Sequence, residues 1–453
     1  MNPNTFQSPA VLSSDEIREI LVKRIDVQKQ AVGIVVGVIE PNGRRVVSYG
    51  NLANGDPGTL DGDTIFEIGS VTKVFTSLLL ADMVNRKEVA LEDPAAKYLP
   101  ENVKMPERNG KSITLLDLST HSSGLPPLPS NLKPKDLHNP YADYKVDDLY
   151  QFLSSYTLQR DPGSAFEYSN LGGGLLGHLL AYRAGTDYES LIRTRITQPL
   201  GMADTSITLS PSMQKRMSTG HTGTLAPAAN WDLPTLAGAG ALRSSANDLL
   251  TFLEAFLGYK ETSLAPAMKA MLETRRPAGQ ATIGLGWLII SPDTREIAWH
   301  NGGTGGFRSF VGYDPKGRIG VVVLSNAGGV DDIGFHLLNP KLPLANPEPP
   351  KQHAEIHIDP KLLDNYTGRY QVTPNLILEV TRDGDRLFAQ GFAQVTGQAM
   401  ALPKFELFAE GEKSFFARVA DNQVTFETDA EGRATSLVLR RAGRDLPAAS
   451  RLS

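Results

Sequence analysis

The hydrophobic pattern near the start of this chain predicts one helix followed by two strands. Residues 13–16 read Ser-Ser-Asp-Glu, a capping box that predicts an amphipathic helix to about Gln30. The apolar run at 32–39 predicts a buried strand, and the Pro-Asn-Gly turn at 41–43 predicts a hairpin into a second strand at 44–49. The chain is therefore expected to begin with a helix and a β-hairpin.

A second group of strands is predicted much further along the chain. Apolar runs at 283–290, 307–313 and 319–324 have the composition of strands, and a turn at 314–317 separates the last two. Between the two groups, up to about residue 280, the pattern is mostly helical and is broken by Pro- and Gly-rich loops. This layout indicates an α+β fold, in which an antiparallel sheet is flanked by helices and carries an inserted helical region.

The pattern changes again after residue 338. Prolines crowd the next segment and predict an extended linker over 339–355: Pro340, Pro343, Pro347, Pro349 and Pro350. Beyond it, short apolar runs separated by Asp-Gly and Glu-Gly turns predict strands: 375–380, 386–389, 415–419 and 424–427. Strands of this kind predict a small all-β barrel or sandwich over 356–453, after a first domain over 1–338.

Composition and charge exclude several classes of function. The chain has 453 residues, of which 41% are hydrophobic and 21% charged, as is typical of a globular protein. Its net charge of −5 and lack of basic runs argue against nucleic-acid binding. No apolar stretch reaches the ~18 residues of a membrane span. Without cysteine there is no thiol nucleophile, and the eight histidines form no metal-binding motif, so neither a metal nor a cofactor is expected.

The compartment is left open by the first residues. Residues 1–9 lack the basic and then apolar pattern of a signal peptide. The protein is therefore either cytoplasmic, or periplasmic or secreted if a signal peptide was removed. The sequence gives no indication of the oligomeric state.

Ser70 and Lys73 are the first candidate catalytic residues. They lie where an extended run at 64–69 gives way to an apolar helix, and residues three apart on a helix share a face. A serine hydroxyl needs a neighbouring base to become a nucleophile, and a lysine among apolar side chains has a lowered pKa and can act as that base. Two other Ser-x-x-Lys pairs, beginning at Ser130 and Ser212, lack this context: the first lies among prolines and the second has no buried flank. The alternative is a core helix capped by a serine.

Tyr168 and Asn170 are the second candidate pair. A phenol near a serine and a lysine can relay a proton from the nucleophile to the leaving group, and an amide beside it can orient the substrate. The pair precedes an apolar helix at 171–180, whereas the same spacing at Tyr49 and Asn51 ends a strand. The alternative is a buried tyrosine with a hydrogen-bonded hydroxyl.

A glycine-rich run that begins at His300 is the third candidate. Its glycines precede a strand and would let a ligand lie against the backbone, but no phosphate-loop lysine follows. We expect the N–H of Gly303 to be an oxyanion donor, Gly302 and Thr304 to contact the substrate, and His300 to offer a polar group to the substrate or to Tyr168. His221 is a rival that ranks lower because no strand follows it.

These three pieces, in this order, resemble the penicillin-recognising serine enzymes, and in particular the group of class C β-lactamases, DD-peptidases and family VIII esterases. Segments at 113–126, 199–202 and 239–249 are similar as well, so that the resemblance covers about residues 14–335. The tail, from about Tyr366, resembles the lipocalin-like domain that some members carry.

The resemblance implies a serine hydrolase that cleaves amide or ester bonds, in β-lactams or small esters, through an acyl-enzyme. Ser70 would be acylated and Lys73 would be its base. Tyr168 would carry protons to the leaving group and activate the deacylating water. Asn170 would hold the substrate amide, and the oxyanion would lie between the N–H groups of Ser70 and Gly303.

One departure from the class C β-lactamase pattern leaves the choice of substrate undecided. His300 stands where class C β-lactamases have lysine, and a histidine that is largely neutral near pH 7 binds a carboxylate less firmly. DD-peptidase relatives do have histidine here, so a D-amino-acid peptidase or an acyltransferase on the same site is the alternative. The three intact motifs disfavour a noncatalytic binding protein, and the absence of a Gly-x-Ser-x-Gly elbow disfavours an α/β-hydrolase. The expected partner is a small-molecule substrate, with specificity set by the loops at 125–145 and 210–240.

Overall fold

The computed structural model describes residues 11–56, 58–293, 295–349, 353–374, 376–395, 398–417, 422–441 and 444–452. Several residues used in the predictions lie outside that part of the chain: 1–9, Pro350, Asn375, Arg418 and Val419. The chain divides into two units. The first consists of Met1–Asp26, Ala31–His221 and Pro227–Ala345, and the second of Val27–Gln30, Thr222–Ala226 and Asn346–Ser453.

The α-helices of the described residues are α1 (Ser14–Val22), α2 (Thr72–Asn85), α3 (Leu115–Ser119), α4 (Val146–Ser155), α5 (Asn170–Ala184), α6 (Tyr188–Ile192), α7 (Gln198–Leu200), α8 (Pro211–Arg216), α9 (Ala237–Gly240), α10 (Ala246–Phe256), α11 (Ala265–Glu273) and α12 (Asp331–Leu338). Short 3₁₀ segments occur at Gly69–Val71, Ala95–Tyr98 and Pro360–Tyr366, and π-helical turns at Lys23–Val27 and Arg193–Thr197. Among the helices described here, none has both the length and the apolar character needed to cross a membrane.

The strands of the first unit are β1 (Gly33–Glu40), β2 (Gly43–Gly50), β3 (Ile65–Glu67), β4 (Glu107–Arg108), β5 (Lys111–Ser112), β6 (Arg243–Ser245), β7 (Arg276–Ala278), β8 (Ala281–Ile283), β9 (Leu288–Ile290), β10 (Ile297–Gly303), β11 (Arg308–Asp314) and β12 (Ile319–Ser325). Within the described residues, eight of them form one antiparallel sheet in the order β2-β1-β12-β11-β10-β9-β8-β7. The remaining four form the pairs β3–β6 and β4–β5.

The central sheet is built from both ends of the first unit, as the sequence predicts. β1 and β12 pair antiparallel with Val36 opposite Val323, and both strands are buried almost throughout. α10 packs on one face, where Leu250 meets Gly37, and α12 packs on the other, where Gly334 meets Phe310. The predicted α+β class is confirmed.

One strand prediction was wrong. Residues 283–290 were expected to form a single strand, but the chain turns between β8 and β9, which pair with each other antiparallel. Gly286 has a left-handed φ of 72° and the N–H of Gly284 donates to the carbonyl of Trp287. The apolar run therefore folds back on itself because glycine readily adopts a left-handed backbone conformation. The apolar composition of the run gave no sign of this turn.

The N-terminal helix begins where the sequence predicts but ends earlier. Ser13 and Glu16 form the capping box, in which the Ser13 hydroxyl accepts from the Glu16 N–H. α1 ends at Val22 and continues as a π-helical turn to Val27, short of the expected Gln30.

α2 is the central helix of the inserted helical region. Every residue from Thr72 to Met83 is buried, including the one lysine, so that the helix has no solvent face over three turns. Such a helix is stabilised by packing on all sides, here against α5, α9 and α11. A polar side chain on α2 is therefore held in an apolar surrounding.

The strands of the second unit are β13 (Gly368–Thr373), β14 (Leu376–Asp383), β15 (Arg386–Val395), β16 (Gln398–Ala409), β17 (Ser414–Ala417), β18 (Asn422–Thr428), β19 (Ala434–Arg441), β20 (Arg444–Asp445) and β21 (Ala449–Arg451). β13 to β19 pair in sequence, and β21 joins β19 back to β13, which closes an eight-stranded barrel among the described residues. Buried aromatic side chains pack inside it: Tyr366, Tyr370, Phe415 and Phe426. A barrel, rather than a sandwich, is confirmed.

Candidate active site

Ser70 lies at the turn between β3 and α2. Gly69 adopts a left-handed φ of 49°, and Gly69–Val71 forms one 3₁₀ turn that leads into the helix. A Cβ at Gly69 would lie 2.6 Å from the backbone nitrogen of Gly303, so only glycine lets this turn approach β10 so closely. Ser70 is partly exposed, whereas the residues on either side of it are buried. The hydroxyl is thus presented at the surface of a segment that is otherwise fixed by packing.

Lys73 reaches Ser70 from the first turn of α2. Its Nζ lies 2.9 Å from Ser70 Oγ, 2.8 Å from Asn170 Oδ1 and 2.7 Å from the carbonyl oxygen of Ala239. The side chain is almost completely buried, and burial lowers the pKa of Lys73 from 10.5 to about 7. All three hydrogen-bond partners are uncharged, so none of them offsets the loss of solvation.

Tyr168 precedes α5, whose first residue is Asn170. Ser169 caps this helix, since its hydroxyl accepts from the N–H of Gly172. The ring centroid of Tyr168 lies 4.9 Å from Lys73 Nζ. Burial raises the pKa of Tyr168 well above its ordinary value, although a hydrogen bond with Ser70 works in the opposite direction. The structure therefore brings Tyr168 and Asn170 to the Ser70–Lys73 pair and keeps the phenol protonated.

His300 lies on β10, with its ring centroid 6.2 Å from that of Tyr168. Burial, and secondarily the charge of Lys73, lowers the pKa of His300 to about 3, so the ring is neutral at neutral pH. Its Nδ1 is 2.6 Å from the carbonyl oxygen of Asn301. Because a carbonyl oxygen only accepts, Nδ1 carries the proton and Nε2 is left as an acceptor.

β10 offers an open edge beside Ser70. Among the described residues, β9 pairs with β10 only as far as Trp299, so the stretch from His300 to Gly303 has no strand partner on that side. Gly303 is exposed and Gly302 is buried against the carbonyl of Ile68. Gly303 and Thr304 line a small pocket together with Ser70 and Asn170.

The sequence did not single out two aromatic residues of this pocket. Tyr141 and Trp231 line it, with ring centroids 5.5 Å apart, and they lie in the loops at 125–145 and 210–240 that were expected to set specificity. The backbone N–H of Trp231 donates to Glu67 Oε1 at 3.0 Å. Neither aromatic residue belongs to a sequence motif. The one indication of a role in the site was that each lies in a long loop.

The rival candidates lie elsewhere or have structural roles. His221 is buried, with Nε2 accepting from the N–H of Asn54 and Nδ1 donating to the carbonyl of Asn326. Ser212 is exposed on α8, and Ser130 lies in a turn. Within the part of the chain that the structure describes, no group of histidine and acidic side chains could hold a metal ion.

Two family models match the chain. The one described as Beta-lactamase matches residues 18–335, and a domain of unknown function (DUF3471) matches residues 352–449. Among known proteins, the D-alanyl-D-alanine-carboxypeptidase/endopeptidase AmpH of Escherichia coli (strain K12) is 32% identical over 310 residues, which cover 65% of this chain and 79% of that protein.

Two solved structures share the fold. The Beta-lactamase/D-alanine Carboxypeptidase from Yersinia pestis is 28% identical, covers 70% of this chain and 93% of its own, and has a TM-score of 0.62. The octameric penicillin-binding protein homologue from Pyrococcus abyssi is 22% identical, covers 94% of this chain and 98% of its own, and has a TM-score of 0.63. The second likeness concerns the fold alone, and it extends over nearly the whole chain.

Proposed function

The chain belongs to the beta-lactamase family of serine hydrolases, and from that premise we propose that Ser70 is the nucleophile that becomes acylated. The observation that carries the proposal is the 2.9 Å contact between Ser70 Oγ and the Nζ of Lys73, a buried amine with a pKa of about 7. A base whose pKa lies near neutral pH is present in its reactive form and still able to bind a proton. The reaction is the cleavage of an amide or ester bond, in a β-lactam or a small ester, through an acyl-enzyme.

The surroundings of Lys73 support its assignment as the base. A neutral amine has two N–H groups and one lone pair. In our proposal the two N–H groups donate to Asn170 Oδ1 and to the carbonyl of Ala239, at 2.8 and 2.7 Å. The lone pair then points at Ser70 Oγ and accepts its proton as the oxygen attacks the substrate carbonyl.

The oxyanion that forms is assigned to the N–H groups of Ser70 and Gly303. The first turn of a helix has backbone N–H groups without helical partners, and the Ser70 turn approaches Gly303 closely. Both donors belong to backbone held by neighbouring strands, so they need little rearrangement as charge develops.

Tyr168 is assigned the transfer of a proton to the leaving group. Its raised pKa keeps the phenol protonated, and Tyr168 and Lys73 both hydrogen-bond with Ser70, so that the proton which Lys73 takes can replace the one that the phenol gives up. In the second half of the reaction the Tyr168 oxygen takes a proton from the hydrolysing water while its own proton passes to Lys73, which is neutral again, and the proton returns to Ser70 Oγ when the acyl group leaves. Asn170 is assigned to the substrate amide, in addition to its contact with Lys73.

A peptide that ends in D-amino acids is the second candidate substrate. The neutral ring of His300 supplies no fixed positive charge to the carboxylate of a β-lactam, which weakens the case for an efficient β-lactamase, and its Nε2 can accept a hydrogen bond from a peptide N–H. The relatives named as D-alanine carboxypeptidases support this reading. Whether water or an amine takes the acyl group separates a hydrolase from an acyltransferase, and product analysis with added amines distinguishes the two.

For the second unit we propose a lipocalin-like fold. The closed eight-stranded barrel supports the likeness. The buried rings of Tyr370, Phe415 and Phe426 occupy its interior, and an eight-stranded barrel has room for side chains or for one small ligand.

Intact-mass analysis after incubation with a penicillin or a p-nitrophenyl ester tests the proposal. We expect the protein to gain the mass of one acyl group, and Ser70→Ala to gain none. The control is Ser212→Ala, which removes the serine of a second Ser-x-x-Lys pair, exposed on α8. An unmodified wild-type protein under conditions of turnover, or the same adduct in Ser70→Ala, would overturn the assignment.

A further inference from the structure

His121 contacts the proposed proton donor from a loop that none of the three sequence motifs includes. It follows α3 and is 3% exposed. Its ring centroid lies 4.4 Å from that of Tyr168, and the planes are tilted by 35°. This is closer to Tyr168 than the ring of His300, at 6.2 Å.

The same residue also binds the backbone on both sides of Tyr168. The N–H of Ser169 donates to His121 Nδ1 at 3.2 Å, and the N–H of Glu167 donates to the His121 carbonyl at 2.7 Å. The tyrosine is thus held at three places by one residue: through its ring, and through the peptide groups before and after it. A side chain fixed at these points has little freedom to move its hydroxyl.

The local backbone of His121 is itself unusual and firmly held. Its φ is 53°, in the left-handed region that non-glycine residues seldom adopt. The loop is anchored by Arg276, whose Nη1 donates to Asp117 Oδ1 at 2.6 Å and to Ser122 Oγ at 2.7 Å. A strained residue that is secured on both sides is common at sites where geometry matters for function.

The charge state of His121 suits this position. Since Nδ1 accepts a hydrogen bond from Ser169, the proton of the neutral ring is on Nε2. Burial, and secondarily the charge of Lys73, holds the pKa of His121 well below its ordinary value. The ring therefore stays neutral and adds no positive charge beside Lys73.

We propose that His121 is a positioning residue for Tyr168, which holds the phenol where it can donate a proton to the leaving group. This inference rests on the proposed function. His121 makes no contact with the substrate in this proposal, and it affects the reaction rate only through Tyr168. The consequence is specific: loss of His121 should slow reactions that need a protonated leaving group more than those that do not.

Two esters with the same acyl group test this consequence. Ethyl butanoate needs a proton on its leaving oxygen, whereas p-nitrophenyl butanoate releases a stable phenolate. For His121→Asn we expect kcat/KM to fall by about 10- to 100-fold with the ethyl ester and by less than about threefold with the p-nitrophenyl ester. Asparagine tolerates the left-handed backbone and can keep the acceptor for Ser169, so the variant removes mainly the ring. The ratio of the two kcat/KM values does not depend on the fraction of folded enzyme.

A matched control is available in the chain. His178, on α5, also pairs with a tyrosine, since its Nε2 lies 2.8 Å from the Tyr150 hydroxyl, but this tyrosine is on α4 and does not line the pocket that contains Ser70. We expect His178→Asn to leave the ratio of the two substrates unchanged. His121→Phe, which keeps a ring and removes the Nδ1 acceptor, should change the ratio in the same direction as His121→Asn.

The double variant separates a positioning role from a general loss of structure. If His121 acts through Tyr168, then His121→Asn in the Tyr168→Phe background should lower kcat/KM for the ethyl ester by less than about twofold. Equal losses with both esters, or an additive loss in the double variant, would overturn the inference. Failure of the proposed function would be recognised separately, by Ser70→Ala retaining activity on the p-nitrophenyl ester.

Discussion

Replacing Lys73 with arginine tests whether the buried amine is the base. Arginine has a similar reach and a positive charge, but its guanidinium does not lose a proton in proteins. The lysine does, because burial lowers its pKa from 10.5 to about 7. This lowering means that the charged amine is disfavoured by roughly 5 kcal/mol relative to water. At neutral pH a large fraction of the molecules therefore has a free lone pair beside Ser70.

The pH dependence follows from which form of the amine reacts. The neutral form is the base and its population increases with pH, so kcat/KM of the wild type should rise with pH and level off above about 7. Lys73→Arg should lower kcat/KM by about 10²- to 10⁴-fold, the contribution typical of a general base, and should lose this rise.

The assay is hydrolysis of p-nitrophenyl butanoate from about pH 5 to about pH 9, with the rate of Ser70 acylation followed by intact mass. Lys215→Arg is the matched control, since Lys215 belongs to the exposed Ser-x-x-Lys pair on α8. Thermal melting of each variant at each pH distinguishes lost chemistry from unfolding. If Lys73→Arg stayed within about tenfold of the wild type, or kept the same rise with pH, Lys73 would not be the base.

Three further outcomes are expected. Because the pKa of Lys73 is lowered in the folded state, the unfolded chain binds more protons than the folded chain between about pH 7 and 10.5. The free energy of unfolding, measured by urea titration, should therefore rise with pH in that interval, and Lys73→Met should lack this rise. Glu67→Ala should lower the free energy of unfolding by about 3–5 kcal/mol because it breaks a buried ion pair between β3 and β6, whereas Glu273→Ala, from an exposed pair, should change it by less than about 1 kcal/mol. Gly69→Ala should abolish the adduct on Ser70, since the new Cβ would lie 2.6 Å from the facing backbone of β10. The control Gly110→Ala, at a position with a left-handed φ of 71° and open space around it, should retain the adduct. An active Gly69→Ala enzyme would contradict the close approach.

Elements whose signals are local could be predicted from the sequence. The capping box at Ser13, the hairpin between β1 and β2, and the buried strands β1 and β12 each depend on residues within a few positions of one another. The same reasoning failed at 283–290, where Gly286 turns the chain. An apolar run has the same composition whether it is one strand or two that pack together, so the pattern could not reveal the turn.

The site shows the same division between local and distant contacts. Ser70 and Lys73 are three residues apart at the start of an apolar helix, and this local arrangement brings the hydroxyl and the amine together. Tyr141, Trp231 and His121 come from loops whose positions depend on packing across the whole unit. Their separation along the chain does not indicate that they meet near Ser70, which explains why the sequence did not identify them as site residues.

The sequence by itself determined which kinds of groups this protein has for chemistry: an alcohol, an amine, a phenol and an imidazole, each beside a recognisable helix or strand. Only the tertiary structure decided their protonation and their geometry. The pKa of Lys73 depends on burial by α5 and α9, and the setting of Tyr168 depends on His121 from a loop that lies 47 positions earlier in the chain. Burial and contact between distant segments arise from packing of the complete fold, and packing is what lowers the pKa of this lysine to near neutral pH.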